Sequence, residues 1–424
     1  MVTEDLVKFL WKYRLFTSVS LTTVSGKAVE IISPGEANVD SGSDFFNAKI
    51  KLDGVVWAGN VEIHTNSADW ARHGHSSDKA YSNVILHVVT EHSGACYTHD
   101  CRELETLVVD VDEYLKQRFW QLQYSDSKIP CTPYINGISI LVVKSWLDSL
   151  ATERLEARIF AVDLSVEQLH GDWEEVLYRY IARSFGTSLN ALPFEMLAKA
   201  APLSMIRRHC AGLIQVEALL FGQAGLLAAE TGDSYFEQLK KEYAYLSHKL
   251  GLTPMDAALW KFARTRPPNF PTVRIAQLAA LACFEFPLLA RLSDLTSVRQ
   301  LPKIITTPPS AYWRTHYTFG HPSEKQRVGL GKGIVQSVIL NAFIPVLYAF
   351  SKSVGNGRLQ QLCLNALEML DTESNAVVRQ WEVLGIKAEN ALDSQALLQL
   401  YKGYCLPKKC LYCRIGAAVL SKKS

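Results

Sequence analysis

The sequence predicts an α+β protein, with an α/β unit in the first part of the chain and a mainly α-helical remainder. Three observations predict it. Strand signals cluster before residue 111. The pair Asp53-Gly54 lies between two alternating runs and marks a two-residue hairpin turn. From about Lys128 onward, apolar residues recur at helical spacing. At 424 residues the chain exceeds what one hydrophobic core usually serves. We expect an α/β core over 1–130, a mainly α-helical domain over 131–400 and a cysteine-rich, basic tail over 401–424.

The elements follow in order. Residues 3–16 form a helix: Thr3 caps it, Glu4 and Asp5 suit its first turn, and Leu6, Phe9, Leu10 and Tyr13 make one apolar stripe. Lys27–Ile32 is β-branched and alternating, hence a strand that ends at Ser33-Pro34-Gly35. Asp44–Leu52 and Val55–His64 pair as the hairpin. Ser67–Tyr81 reads as a helix interrupted near Gly74. Asn83–Thr90 is a continuous apolar run typical of a buried strand. Glu103–Val111 is a further strand and Asp112–Leu122 a helix. The order is helix, three strands, helix, strand. Helical segments dominate thereafter, among them VEALLFGQAGLLAAE, SYFEQLKKEYAYLSHKLG and RLQQLCLNALEMLD. The proline loop from Thr265 to Pro271 interrupts them.

Composition bounds function. With 48% hydrophobic and 20% charged residues, long disorder is excluded. A net charge of +2 gives no global signal for a polyanion, so any nucleic-acid partner must be met by local patches. The first residues lack a basic region followed by an apolar stretch, so no export signal is expected. The most apolar window, Gly333–Phe350, contains Gln336, Asn341 and Pro345 and reads as a buried core helix rather than a membrane span. Nine cysteines, an odd number, fit a reducing compartment, where thiols are free or metal-bound. The expected location is the cytoplasm, without a membrane partner.

Metal-ligating side chains crowd into one stretch: Asp44, Glu62, His64, Asp69, His73, His75, Asp78 and His87. Strand residues two apart share a face, so Glu62 and His64 project together. A carboxylate beside an imidazole suits a divalent metal and a polarised water, and a neutral imidazole can take a proton near neutral pH. His75 and Asp78, three apart, are neighbours if their segment is helical. The ordinary alternative is the solvent face of a half-exposed hairpin. His87, inside an apolar run, reads as a satisfied core histidine.

The element order is similar to the core of the PD-(D/E)xK nucleases. There an Asp on the second strand and a Glu-x-Lys on the third bind magnesium and activate water. That resemblance implies Asp44, Glu62 and His64 as matching positions, with Glu4 an accessory acid and magnesium or manganese as the ion. It departs in three ways. Ser43 stands where the pattern has proline, and His64 stands where it has lysine. Third, a flush hairpin about Asp53-Gly54 pairs Leu52 with Val55 and sets Asp44 opposite Ile63, facing away from Glu62. A bulge near Asn47 or Asn60 would restore the match. Without one, Asn47 and Lys49 share the Glu62 face, and Lys49 stands in for the lysine.

A second constellation is Cys405-x4-Cys410-x2-Cys413. A Cys-x2-Cys pair clamps one metal ion, and a third cysteine nearby extends the set toward zinc or an iron–sulfur cluster. Candidates for a fourth ligand are Cys363, Cys131, Cys101 and His321. Three unligated thiols are the plainer reading. From Tyr401 onward the chain holds Lys402, Lys408, Lys409, Arg414, Lys422 and Lys423 and no acid, a surface that could face phosphate or simply solvent. Arg264, Arg266 and Arg274 around the proline loop are weaker phosphate candidates.

Segments across the chain resemble the bacterial family catalogued as domain of unknown function 2851: FLWKYRLF, SDFFNAKI, WAGNVEIHTNSADWARHGHSSDKAYSNVILHVV, EALLFGQAGLL, RPPNFPTVRIAQLA and DSQALLQLYKGYCLPKKCLYCRIG. Ser43 and Ala68 stand where that family leads us to expect Pro and Ser. The resemblance implies that the histidine-rich and cysteine-rich segments belong to one protein type. It implies no activity. Three functions compete. One is a metal-dependent nuclease or phosphodiesterase using Asp44, Glu62 and His64, which needs convergent carboxylates. Another is a hydrolase centred on His64, His73, His75 and Asp78, which needs convergent imidazoles. The third is a non-catalytic nucleic-acid or protein-binding factor with a structural zinc or iron–sulfur site.

Overall fold

The computed structural model describes residues 2–18, 20–38, 41–228, 233–305, 307–324 and 329–422. The chain divides into two compact units. The first comprises residues 1–148, 383–385 and 398–424, and the second 149–382 and 386–397.

The first unit opens with helix α1 (Glu4–Tyr13). The Thr3 hydroxyl accepts from the Leu6 N–H at 3.4 Å, and the helix buries Leu6, Val7, Phe9, Leu10 and Trp11. The strands follow: β1 (Leu21–Thr22), β2 (Ala28–Ser33), β3 (Glu36–Ala37), β4 (Phe45–Leu52), β5 (Val55–Ile63), β6 (Val84–Val89), β7 (Cys96–Tyr97), β8 (Glu103–Leu104) and β9 (Thr106–Val108). The main sheet runs β1-β2-β4-β5-β6-β9, with β3 alongside β4. Strands β2, β4 and β5 are antiparallel, whereas β5–β6 and β6–β9 are parallel. Val7 and Trp11 of α1 pack with Phe45, Ala48, Val61, Ile63, Leu86 and Val88 of the sheet. The hairpin turns where its chemistry dictates: Asp53 and Gly54 both have positive φ, 43° and 89°, as a type I′ turn requires.

Two expected elements come out differently. Ser67–Tyr81 is not one helix. It is a short helix α2 (Asp69–Arg72) followed by single turns at His75–Ser77 and Lys79–Tyr81. Gly74 at φ 77° stops the first, and the Asp78 side chain caps the last, accepting from the Ala80 N–H at 2.8 Å. Glu103–Val111 is two strands: β8 leaves the main sheet to pair with β7, and β9 returns to β6. Helix α3 (Glu113–Gln123) begins at the Asp112 cap.

The second unit is helical. The chain enters it within α4 (Ile140–Gln168) and continues through α5 (Trp173–Phe185), α6 (Thr187–Ala200), α7 (Leu203–His209), α8 (Leu213–Gln223), α9 (Ser234–Leu250) and α10 (Pro271–Phe284). One continuous core joins Val176, Leu177, Ile181, Leu219, Phe221, Leu278 and Leu347. Lys332–Ser353 is long and apolar enough to cross a membrane by length and composition, and two thirds of its apolar window (67%) is buried in this core. A π-helical turn, Ile339–Phe343, lies inside it. Residues 229 and 230, at the end of the expected helix 216–230, lie outside the described residues, as does Lys423.

Candidate metal centre

One irregularity in β4 builds the site. From the turn, Leu52 faces Val55 and the pairing is flush up to Ala48–Gly59, but Phe45 then faces Val61. Two residues of β4, Phe46 and Asn47, oppose the single Asn60, which is a β-bulge. Asn47 takes the left-handed conformation, φ 53°, which asparagine tolerates better than most residues. The extra residue shifts the register by one and sets Asp44 beside Glu62. The Asp44 N–H donates to Glu62 Oε2 at 3.1 Å, and Asp44 Oδ2 accepts from the Ile63 N–H at 3.0 Å.

Val61 and Ile63 face the α1 side of the sheet, so Glu62 and His64 alternate to the other face. The segment from α2 to Tyr81 covers them there. Trp70 lies 5.3 Å, ring to ring, from both His75 and His87. The result is a buried polar cluster: Glu62 is 5%, His64 1%, His75 8% and His87 0% exposed.

Within it, His75 Nε2 is 3.4 Å and His64 Nε2 3.8 Å from Glu62 Oε1. His73 Nδ1 is 3.2 Å from His64 Nε2. Among the described residues, His64, His73 and His75 are the one group whose ligand atoms all lie within 4.8 Å of one another. Ligands at about 2.1 Å from a tetrahedral ion lie about 3.4 Å apart, so these separations fit a single ion. His75 Nε2 is buried without a hydrogen-bond partner, which is a donor-set position open for a metal. His64 Nδ1 meets His87 Nε2 at 2.8 Å. Were the His64 Nε2 lone pair to bind an ion, its Nδ1–H would donate to His87, the outer-shell bond that fixes a ligand's tautomer. His87 is thus in the core as expected but only half satisfied, because its Nδ1 has no partner.

The electrostatics agree with that role. Burial, reinforced by the Asp44 charge, pushes the Glu62 carboxyl up to about 8. Burial and the neighbouring His75 and His73 hold His64 down to about 3, and burial lowers His87 likewise to about 3. His75 is lowered by burial and by His73. His64, His75 and His87 are therefore held neutral rather than cationic, the form in which imidazole can bind a metal. The compact cation here is Lys8 of α1, whose Nζ lies 2.7 Å from both Asp44 Oδ1 and Glu4 Oε1. Burial works against its charge, but the hydrogen bonds to Asp44 and Glu4 more than compensate. Sequence reasoning missed Lys8; its signal was the α1 face that it shares with Glu4.

The remaining candidates fall outside the His64–His73–His75 group. Lys49 is exposed and faces Ala58, four positions and about 13 Å along the strand from Glu62. Asp78 is exposed and spends its carboxylate on the Ala80 cap. Asp69 is buried and pairs with Arg72 at 2.5 Å. Cys405, Cys410 and Cys413 are all buried thiols of the first unit, as is Cys131, whereas Cys101 is exposed. Cys363 is in the core of the second unit, and His321 is exposed in a short hairpin there. Arg274 is buried and bonded to Gln277 and Asn269. No curated protein and no solved structure matches the chain. The profile of the family described as protein of unknown function DUF2851 matches residues 4–376, a stretch that contains the whole histidine and carboxylate cluster and ends before Cys405; the chain belongs to that family.

Proposed function

We propose that the first unit is a metal-dependent phosphodiesterase of nuclease type. The observation that carries this reading is the grouping of His64, His73 and His75 at single-ion spacing, with Glu62 Oε1 3.4 Å from His75 Nε2 and 3.8 Å from His64 Nε2 and the Asp44 backbone N–H donating to Glu62 Oε2. Three imidazoles and one carboxylate suit manganese, zinc or ferrous iron better than magnesium. A bound ion supplies Lewis acidity to a phosphoryl oxygen and lowers the pKa of a coordinated water.

The chain's own residues do the rest. His64, His73 and His75 would hold the ion, with Glu62 beside His64 and His75 able to join them, and His87 orients His64. Asp44, fixed by Lys8 and the Ile63 N–H, takes the proton of the attacking water. Lys8 meets the charge that develops on the phosphoryl group. The helix, antiparallel three-strand meander, covering segment and parallel fourth strand also favour phosphodiester chemistry, being the order in which PD-(D/E)xK nucleases place their carboxylates. That likeness rests on element order alone. The convergent imidazoles favour, as a second reading, hydrolysis of a carboxylic ester or amide at the same ion.

The test loads the full chain with manganese, zinc or magnesium and assays bis(p-nitrophenyl) phosphate, single- and double-stranded DNA and RNA, and a carboxylic ester. Metal-dependent phosphodiester cleavage that Glu62→Gln abolishes while the circular dichroism spectrum is unchanged is expected. Ester cleavage alone selects the second reading. Cleavage of no substrate by metal-loaded protein, or full activity in Glu62→Gln, refutes both.

A further inference from the structure

We infer that Cys131, Cys405, Cys410 and Cys413 form one four-thiolate cage in the first unit that holds an iron–sulfur cluster. The family profile ends before the last three of these residues, and the proposed phosphodiester chemistry uses none of them.

Local structure brings the four together. Cys405 ends a π-helical turn, Leu400–Cys405; Cys410 begins a single turn, Cys410–Tyr412; and Cys413 is the N-cap of the helix Arg414–Ser421. Between the first two, Lys408 adopts φ 55°, its N–H donating to the Cys405 carbonyl at 3.1 Å, and the Lys409 N–H closes on the Tyr404 carbonyl at 2.8 Å. Gly416 lets the helix approach this loop: a Cβ there would lie 2.1 Å from the Cys410 carbonyl oxygen. The same segment clasps both flanks of the loop that carries Cys131. Lys408 Nζ donates to the Ser125 carbonyl at 2.8 Å, and Lys422 Nζ donates to the Gly137 carbonyl at 3.1 Å.

The four thiols are 6%, 7%, 8% and 7% exposed, in chain order. They sense one another. Burial raises each, and Cys405 is raised further by Cys131, Cys413 and Cys410, while Cys131 is raised by Cys413 and Cys410, to about 12. As free thiols, four buried sulfurs gain little from being gathered. As ligands, they are a complete set.

Spacing disfavours a single tetrahedral ion. Two thiolates on a tetrahedral zinc at about 2.3 Å lie about 3.8 Å apart. No three of these sulfurs lie within 4.8 Å of one another, since the histidine group alone meets that limit among the described residues. A cluster with iron at each corner holds its thiolates farther apart. Two further features suit it. The indole N–H of Trp146 is buried without a partner of ordinary geometry, yet it sits close enough to Cys413 to favour its thiolate, as do the N–H groups of Ile415 and Gly416. Hydrogen bonds to ligating sulfur stabilise such clusters. The acid-free run of Lys402, Lys408, Lys409 and Arg414 compensates the negative charge of a thiolate-ligated cluster.

The experiment purifies the full chain anaerobically and measures iron, acid-labile sulfide, zinc and visible absorbance. Each preparation is measured as isolated and after reconstitution with ferrous iron and sulfide. Iron and sulfide in equal amounts, with a visible band bleached by dithionite, are expected for the wild type and for Cys363→Ser. Cys131→Ser and Cys410→Ser should each lose most of the iron and the band. Circular dichroism confirms that a depleted variant is folded; Trp146→Phe, which leaves every ligand in place, should keep the iron but shift the reduction potential. Zinc in place of iron, no iron in the reconstituted wild type, or undiminished iron in folded Cys131→Ser would overturn the inference.

Discussion

Glu217, on α8 in the core of the second unit, gives a prediction whose size follows from its surroundings. The residue is fully buried, at 0% exposure. The Tyr235 hydroxyl donates to Oε2, while Oε1 has no partner of ordinary geometry. Burial pushes the carboxyl from 4.5 up to about 7, although Tyr235 and Ser310 favour its charged form. An acid whose pKa rises on folding binds more protons folded than unfolded between those two values. Stability therefore falls as pH rises through the window from about 4.5 to about 7 and is level above it. At 1.36 kcal/mol per pKa unit the loss is about 3 kcal/mol. Glu217→Gln keeps the shape and removes the titration. The quantity to measure is the stability difference between variant and wild type, by calorimetry at pH 4.5, 6 and 8. That difference should move in favour of the variant by about 3 kcal/mol across the range, or about 10 °C in Tm for a unit of this size. A difference that is flat with pH, or that moves toward the wild type, refutes the argument.

Other expectations follow from single features. Asn47→Gly should preserve metal binding because glycine accepts positive φ freely, whereas Asn47→Val should cost about 1–2 kcal/mol and lower bound manganese, read by thermal melting and elemental analysis. His87→Ala should weaken metal affinity about 10–100-fold without abolishing it, measured by competition with a chelating dye. Gly59→Ala would bring a Cβ to 2.7 Å from the Asn83 carbonyl and 2.4 Å from Ile85 Cγ2. It should separate β5 from β6 and lower both Tm and metal content, whereas Gly54→Ala, with open space around it, should cost only the strain of positive φ. Leu219→Ala in the helical core should cost about 2–5 kcal/mol by denaturant unfolding and leave iron and manganese content unchanged.

Much of this protein was legible in its sequence because local chemistry and tertiary structure agree. Thr3 caps α1, Asp53-Gly54 turns the hairpin, and the apolar run of β6 is buried on both faces. The site was legible as a crowd of residues but not as an arrangement. Asp44 joins Glu62 only through the extra residue at Asn47, and asparagine is so common in ordinary turns that it announces no bulge. The stretch after Ser67 has helical spacing, but Gly74 and the Asp78 cap break it, and the broken path folds His73 and His75 back over His64. His87 read as core, which it is; that it also meets His64 needed the parallel pairing of β5 with β6. Cys131 could not be chosen as a partner for the late cysteines, because nothing in its neighbourhood records contacts with residues 274 to 282 positions later.

The composition of the first unit, which takes residues 1–148, 383–385 and 398–424, has a consequence for the order in which the molecule is made. The Tyr412 hydroxyl donates to Asp5 at 3.0 Å across 407 positions, and Cys131 waits for Cys405, Cys410 and Cys413. On the ribosome, at about 5–20 residues per second, the sheet emerges tens of seconds before the segment that completes its unit. The intervening helical unit can fold first. During that interval the loop around Cys131 presents an unclosed thiol surface to the cell, which is the moment at which a cofactor would have to be delivered or the thiol protected.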